Sequence, residues 1–125
     1  MIVYSHPDCL LKFNGKGHPE RKERLDSILE SIKLSDLKVE FKEAPKVDLE
    51  IVSLVHPKKY IQQIFTNIPE EGIIGVEKEP YADTMLCPHS KNAILRSCGS
   101  GIAAADDLIK NNERVFCAVR PPGHH

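Results

Sequence analysis

Two adjacent histidines, His124 and His125, stand directly behind Arg120-Pro121-Pro122-Gly123 at the end of this 125-residue sequence. Imidazole has the ordinary pKa nearest neutrality, so a rigidly held pair suits proton transfer or metal ligation. The residues before the pair supply rigidity. Val115 to Val119 is an unbroken apolar run that suits a strand buried on both faces, as in a parallel sheet covered by helices. Pro121 and Pro122 end such a strand, because neither donates a ladder hydrogen bond and each fixes its own φ. Gly123 permits a backbone angle closed to other residues, so the chain can turn where the histidines begin. The pair is expected at the carboxyl end of a central strand, where open α/β sheets place their ligands. A lone His-His pair at a chain end is usually a surface accident. The immediate succession of strand, double proline and glycine favours the functional reading.

The rest of the chain reads as the scaffold for that corner. Ile2 to Tyr4 predicts a short first strand, and Ser5 to Gly17 a loop carrying Pro7, Asn14 and Gly15. Pro19 and Glu20 are helix-opening signals, a proline where no N–H is needed and an acid that suits the helix dipole. Leu25, Ile28, Leu29 and Ile32 then recur at helical spacing and predict one apolar stripe against a sheet. Leu37 to Phe41 predicts a second strand, ended by Ala44-Pro45. Asp48 is placed to cap a short helix, His56-Pro57 breaks the chain, and Tyr60, Ile61, Ile64 and Phe65 form the apolar side of the next helix. Residues 67–88 lack periodicity and are rich in Pro, Gly and acids, a length of irregular chain that marks functional segments. Ser90 is expected to cap a last helix running to about Lys110. Its small residues, Ala93, Ser97, Gly101 and Ala105 among them, let its axis approach a neighbour closely. Gly99 and Gly101 each lower its intrinsic helicity by roughly 1 kcal/mol relative to alanine, so tertiary packing must hold it. Strands at both ends with helices between them point to an α/β fold with a parallel sheet.

Composition narrows the function classes. Hydrophobic residues at 41% and charged residues at 28% suit one globular domain with a real core. A net charge of -1 offers no basic field, so direct nucleic-acid binding is not expected. No run approaches transmembrane length and no signal region opens the chain, so no membrane partner is expected. Cys9, Cys87, Cys98 and Cys117 are scattered without a C-x-x-C pair, which suits a reducing, cytoplasmic setting.

The hexapeptide Arg120-Pro121-Pro122-Gly123-His124-His125 after an apolar strand resembles the signature of the zinc-dependent histone deacetylase family. The likeness is to its class II-like and bacterial branch, with acetoin-utilisation proteins and acetylpolyamine amidohydrolases. Three more segments match in order: Ile2-Val3-Tyr4-Ser5, the stretch from His18-Pro19-Glu20 to Arg24-Leu25, and Val55-His56-Pro57-Lys58-Lys59-Tyr60. The resemblance implies the amino-terminal part of an arginase-deacetylase fold, an open parallel sheet flanked by helices, with residues 1–125 a single incomplete domain. In the family the metal ligands, an Asp-x-His pair and a later Asp, and a carbonyl-polarising tyrosine all lie downstream of the paired histidines. Metal ligands are therefore expected downstream and none within this chain, and zinc is not expected to bind this chain alone.

By the same resemblance, His125 is the general base and later acid, with His124 in support. Gly123 belongs to the substrate-binding corner. Arg24 matches an arginine that lies inside, near the foot of the catalytic tunnel, where it can hold acetate; Arg21 reads as a solvated charge. Asp83 matches a rim acid that can hold a peptide backbone, and a turn-capping loop aspartate is the plainer account. Phe13 either lines the tunnel mouth or is an ordinary exposed aromatic, and His56 and Tyr60 read as a satisfied, half-buried structural pair. The implied substrate is an acetylated lysine or polyamine. An incomplete sheet would leave apolar surface bare, open to self-association or to a missing carboxyl-terminal half. The alternative is a non-catalytic remnant that serves as a structural or interaction module.

Overall fold

The computed structural model describes residues 1–76 and 84–123. In chain order the elements are β1 (Ile2–Ser5), α1 (Asp8–Leu11), α2 (Lys22–Leu34), β2 (Glu40–Glu43), α3 (Leu49–Val52), α4 (Lys58–Thr66), β3 (Ile74–Gly75), β4 (Met85–Leu86), α5 (Ser90–Asn111) and β5 (Val115–Cys117). Three strands form an open parallel sheet in the order β2-β1-β5, and β3 and β4 pair as a separate antiparallel ribbon. This is the α/β architecture with a parallel sheet and flanking helices that the sequence predicts. Among the described residues no helix is long and apolar enough to cross a membrane.

Strand β1 is the centre because its side chains alternate between two apolar layers. Val3 points to one face and packs with Cys9, Leu25 and Ala118, with Leu29 and Ile32 of α2 completing that cluster. Ile2 and Tyr4 point to the other face, against Ala44 and against Ala103 and Ala104 of α5. That second layer also carries a polar tie. The Tyr4 hydroxyl donates to Asp107 Oδ2 at 2.8 Å, and Lys42 Nζ donates to the same oxygen at 3.2 Å, joining α5 to β1 and β2. Burial and then the neighbouring Asp107 push the Tyr4 phenol up, while the Tyr4 hydroxyl bond is the largest influence holding Asp107 down.

Several expectations shift. The final strand is shorter than the apolar run, Val115–Cys117, and Phe116 is 42% exposed. Among the described residues β5 pairs with β1 alone, so it stands at an edge of the sheet and not in its middle. The second strand lies at Glu40–Glu43 and not at Leu37 to Phe41, because its register is set by pairing Ile2 with Glu40 and Val3 with Phe41. The loop after β1 holds the single turn α1. Helix α2 starts at Lys22, after an extended Arg21, because Asn14 and Arg120 hold Glu20 in the preceding loop. Of its apolar stripe, Leu25 is buried and Ile28 is 38% exposed.

Helix α5 depends on one glycine. A Cβ at Gly99 would lie 1.9 Å from the Pro45 carbonyl oxygen, whereas a Cβ at Gly101 would meet nothing within 4 Å. The close approach expected of this small-residue helix is thus made at Gly99 against the segment leaving β2. Ser90 does not cap the helix as expected: the N-cap position is His89, and the buried Ser90 Oγ accepts from the Cys87 N–H at 2.9 Å. At the other end Asn112 adopts φ 53°, the left-handed conformation that closes many helices, and its N–H donates to the Leu108 carbonyl. Gly99→Ala is expected to destabilise the fold by about 1–3 kcal/mol through overpacking. Gly101→Ala should stabilise it by up to about 1 kcal/mol through helix propensity. Urea unfolding of the two variants beside the wild type checks both signs.

Candidate active site

The loop after β1 and the segment after β5 meet beyond the carboxyl ends of their strands, joined by one buried side chain. Arg120 is 3% exposed, and its guanidinium makes four hydrogen bonds. Nη1 donates to the carbonyls of Cys9 at 3.0 Å and Lys12 at 2.9 Å. Nε and Nη2 grip the two carboxylate oxygens of Glu20, the latter at 3.0 Å. Such a two-pronged pairing fits the planar guanidinium and the carboxylate together and leaves neither charge unanswered.

Glu20 has a second neighbour. Asn14 Nδ2 donates to Glu20 Oε2 at 2.6 Å and to the Glu20 backbone carbonyl at 2.8 Å, while the Asn14 side-chain oxygen accepts from Lys12 Nζ. The Glu20 N–H in turn donates to His18 Nδ1 at 3.0 Å. These contacts explain why Glu20 belongs to a loop and not to the first turn of α2. Burial would raise its pKa, but the Arg120 bonds and charge, with help from Asn14 and Lys12, outweigh that and hold the carboxyl below its ordinary value. Burial pushes the Lys12 ammonium down, only partly offset by Glu20.

The corner beyond Arg120 is tied a second time. The Ser97 hydroxyl of α5 donates to the Pro121 carbonyl at 2.5 Å, and Gly123 turns with φ 97°. Pro121 to Gly123 thereby line a cleft of about 370 Å³. Its other walls are Lys12, Asn14, His18 and Glu20 from the loop after β1, the apolar side of α4, the strand β4, and Ile94, Ser97 and Cys98 of α5. A second, more open groove of about 430 Å³ between α3 and α4 contains none of the candidate site residues.

Of the residues singled out from the sequence, Gly123 is at the cleft. His124, His125 and Asp83 lie outside the described residues. Arg24, expected inside, is exposed on the first turn of α2; the arginine the fold encloses is Arg120. His56 and Tyr60 are exposed and not half-buried, their rings 6.0 Å apart at the cleft wall. Phe13 is 46% exposed and does not line the cleft. Lys12, Asn14, Glu20 and Arg120 form a unit that sequence reasoning misses. The available signal was an arginine beside a predicted buried strand, which needs a carboxylate partner, and a glutamate wedged between proline and arginine in another matched segment. Among the described residues no three His, Cys, Asp or Glu side chains converge to hold a metal ion.

An open parallel sheet with a cleft beyond the carboxyl ends of its strands is the frame of an α/β ligand-binding or catalytic domain. Residues 18–125 match the family described as histone deacetylase domain, and the chain belongs to that family, whose chemistry is zinc-dependent. It is 28% identical to "Type-2 histone deacetylase 2" of Dictyostelium discoideum over 99% of its own length. It is 30% identical to "Probable deacetylase" of Archaeoglobus fulgidus over 99%, and 26% identical to "Histone deacetylase 10, chloroplastic" of Oryza sativa subsp. japonica over 90%. The chain spans 9%, 34% and 29% of the lengths of these relatives, respectively.

The Glu20 pairing sets an acid limit on the fold. A carboxyl held below its unfolded value, about 4.3 for glutamate, adds stability above that pH and loses it as pH falls through the folded value. Glu20→Gln should cost about 3–5 kcal/mol at neutral pH, because it leaves Arg120 buried without its partner. The same variant should lose part of the wild-type dependence of stability on pH below about 4.3. Chemical denaturation of both proteins across that range reads the difference.

Proposed function

We propose that residues 1–125 form the amino-terminal wall of a deacetylase active site that hydrolyses the amide of an acetylated lysine or a related acetylated amine. One observation carries the reading: the corner that starts at Arg120, pinned by Glu20 and by Ser97, lines the cleft with Pro121 to Gly123 and precedes the paired histidines in sequence. In this reading His125 takes a proton from the attacking water as general base. It later delivers that proton to the leaving nitrogen as the C–N bond breaks. His124 hydrogen-bonds the same water and supports the negative charge that grows on the carbonyl oxygen. The products are acetate and a free amine.

Gly123 borders the reacting group without a side chain to block it. Asp83 is assigned the rim, holding the backbone of a peptide substrate. Arg24 is assigned the released acetate, which requires further polypeptide packed over its exposed position. The zinc of the family's chemistry would polarise the acetyl carbonyl from ligands outside the described residues. The four cysteines, all free, support a reducing, cytoplasmic setting.

The chain alone, supplied with zinc and an acetyl-lysine peptide, is expected to show no turnover; activity abolished by His125→Ala would overturn the assignment of the metal ligands to other residues. In a polypeptide where these residues are joined to the family's metal-binding segment, His125→Ala should lower kcat by about 10²–10⁴-fold with little change in KM. An unchanged kcat would remove His125 from proton transfer.

A further inference from the structure

We infer that His18-Pro19-Glu20 is a pH-sensitive clasp, held shut by a neutral imidazole and opened by acid, and that it governs how firmly the corner at Arg120 is held. The pattern occurs twice in the chain, at His6-Pro7-Asp8 and at His18-Pro19-Glu20. In both, the imidazole Nδ1 accepts a hydrogen bond from the backbone N–H of the acid two residues on, at 3.1 Å from Asp8 and 3.0 Å from Glu20. The proline between them has no N–H to compete for the ring nitrogen. In both, the carboxylate is gripped by an arginine from a distant element: Arg96 Nε of α5 donates to Asp8 Oδ2 at 3.2 Å, and Arg120 holds Glu20. Each arginine also donates to backbone carbonyls, Arg96 to Ala44 at 2.8 Å and Arg120 to Cys9 and Lys12. Recurrence of the whole arrangement with different partners makes the imidazole a working part of it.

A ring nitrogen that accepts an N–H carries no proton, so the neutral ring is protonated at Nε2. A second proton sets N–H against N–H, and the bond is lost whatever else surrounds the ring. Histidine, with an ordinary pKa of about 6.5, is the side chain suited to such a change. The two copies respond differently. His6 Nδ1 also lies 3.2 Å from Asp8 Oδ2, so a protonated ring exchanges the N–H for that carboxylate and stays tied to Asp8. Both carboxylate oxygens of Glu20 are taken by Arg120, and one also accepts from Asn14, so a protonated His18 is released from Glu20.

The opening is felt at Glu20. Its N–H, carbonyl and carboxylate are bonded to His18, to Asn14, and to Arg120 with Asn14, and freeing the first lets the residue shift beneath the guanidinium. Among the described residues, Lys12, His56, Tyr60 and Cys98 are the other titratable side chains that share the cleft with His18 and Glu20, and Arg120 is bonded to Glu20. Glu20 stays ionised through the histidine range: burial, the largest influence, would raise its pKa, but Arg120 with Asn14 and Lys12 holds it below its ordinary value. His18 is thus a positioning residue that acts through Glu20. The clasp requires neither the paired histidines nor a metal, and so stands apart from the hydrolase reading.

Nitrogen-15 spectra of the imidazoles, with hydrogen exchange of the Glu20 amide and the Arg120 Nε–H, test the inference on the whole chain between about pH 8 and pH 5. At the upper end His18 is expected as the Nε2–H tautomer. Toward the lower end the protection of both N–H groups, corrected for intrinsic exchange, should fall about tenfold, the size of one hydrogen bond. His18→Asn keeps an acceptor for the N–H two residues on, as in an Asx turn, without titrating, and should hold protection within about twofold across the range. Lys12, which burial pushes down, is present in both proteins, so their difference reads the ring. His18→Ala should show the low protection throughout, and His56→Asn should respond as the wild type does. An Nδ1–H tautomer at the upper end, wild-type protection that does not change with pH, an equal acid loss in His18→Asn, or a response removed by His56→Asn would each overturn it. If His18→Ala does not fold, His18→Asn against the wild type decides the matter.

Discussion

The pairing of Arg120 with Glu20 is the interaction on which this structure turns. It links the residue that leaves β5 to the loop that leaves β1, two segments a hundred positions apart in sequence. A buried ion pair of this kind is weak evidence for net stability, because desolvating both charges offsets much of their attraction. Its consequence is geometric. The planar guanidinium has only one arrangement that satisfies Glu20 and the carbonyls of Cys9 and Lys12 together, so the chain emerges toward Pro121 in a defined direction. The Ser97 hydroxyl then fixes the next carbonyl. A corner held at consecutive residues from two sides leaves the chain little freedom as it enters Gly123.

That geometry rests on the packing of α5. The helix lies along one face of β1 through Ala103 and Ala104, and it approaches the exit of β2 at Gly99, where the backbone of Pro45 occupies the space of a side chain. Asp107 binds it to the sheet through Tyr4 and Lys42. The same helix therefore fixes the spacing of the strands and supplies Ser97 and Cys98 to the cleft. Scaffold and site share one element, and a displacement of α5 along β1 would alter both.

Membership of the histone deacetylase domain family gives these contacts their context. The arginine and the glutamate come from two separately matched segments, so part of what makes each segment recognisable is here a mutual structural contact. The motif thus combines residues that hold a corner with residues proposed to perform chemistry. The cleft they border has one polar wall, centred on Lys12 and Glu20, and one apolar wall from α4 and β4.

The linear order of residues determined the class of fold, the parallel sheet with flanking helices, and the turn at Gly123. Those features arise from local patterns: an apolar run at Ile2 to Tyr4, helical spacing at Leu25, Leu29 and Ile32, and prolines that end a strand. Asp48 was likewise legible as a cap, since its carboxylate accepts from the Glu50 N–H only two residues away. The tertiary structure alone decided which polar residues belong together. Glu20 looks like a helix-opening acid until Arg120 arrives from the far end of the chain, and Arg24, where the resemblance implies an enclosed arginine, is exposed among the described residues. Strand bounds behaved similarly, because pairing register with β1 and not local apolar content sets where β2 and β5 stop. The reason is that a buried charge is stabilised by the neighbour that folding brings to it, and sequence spacing carries no measure of that distance.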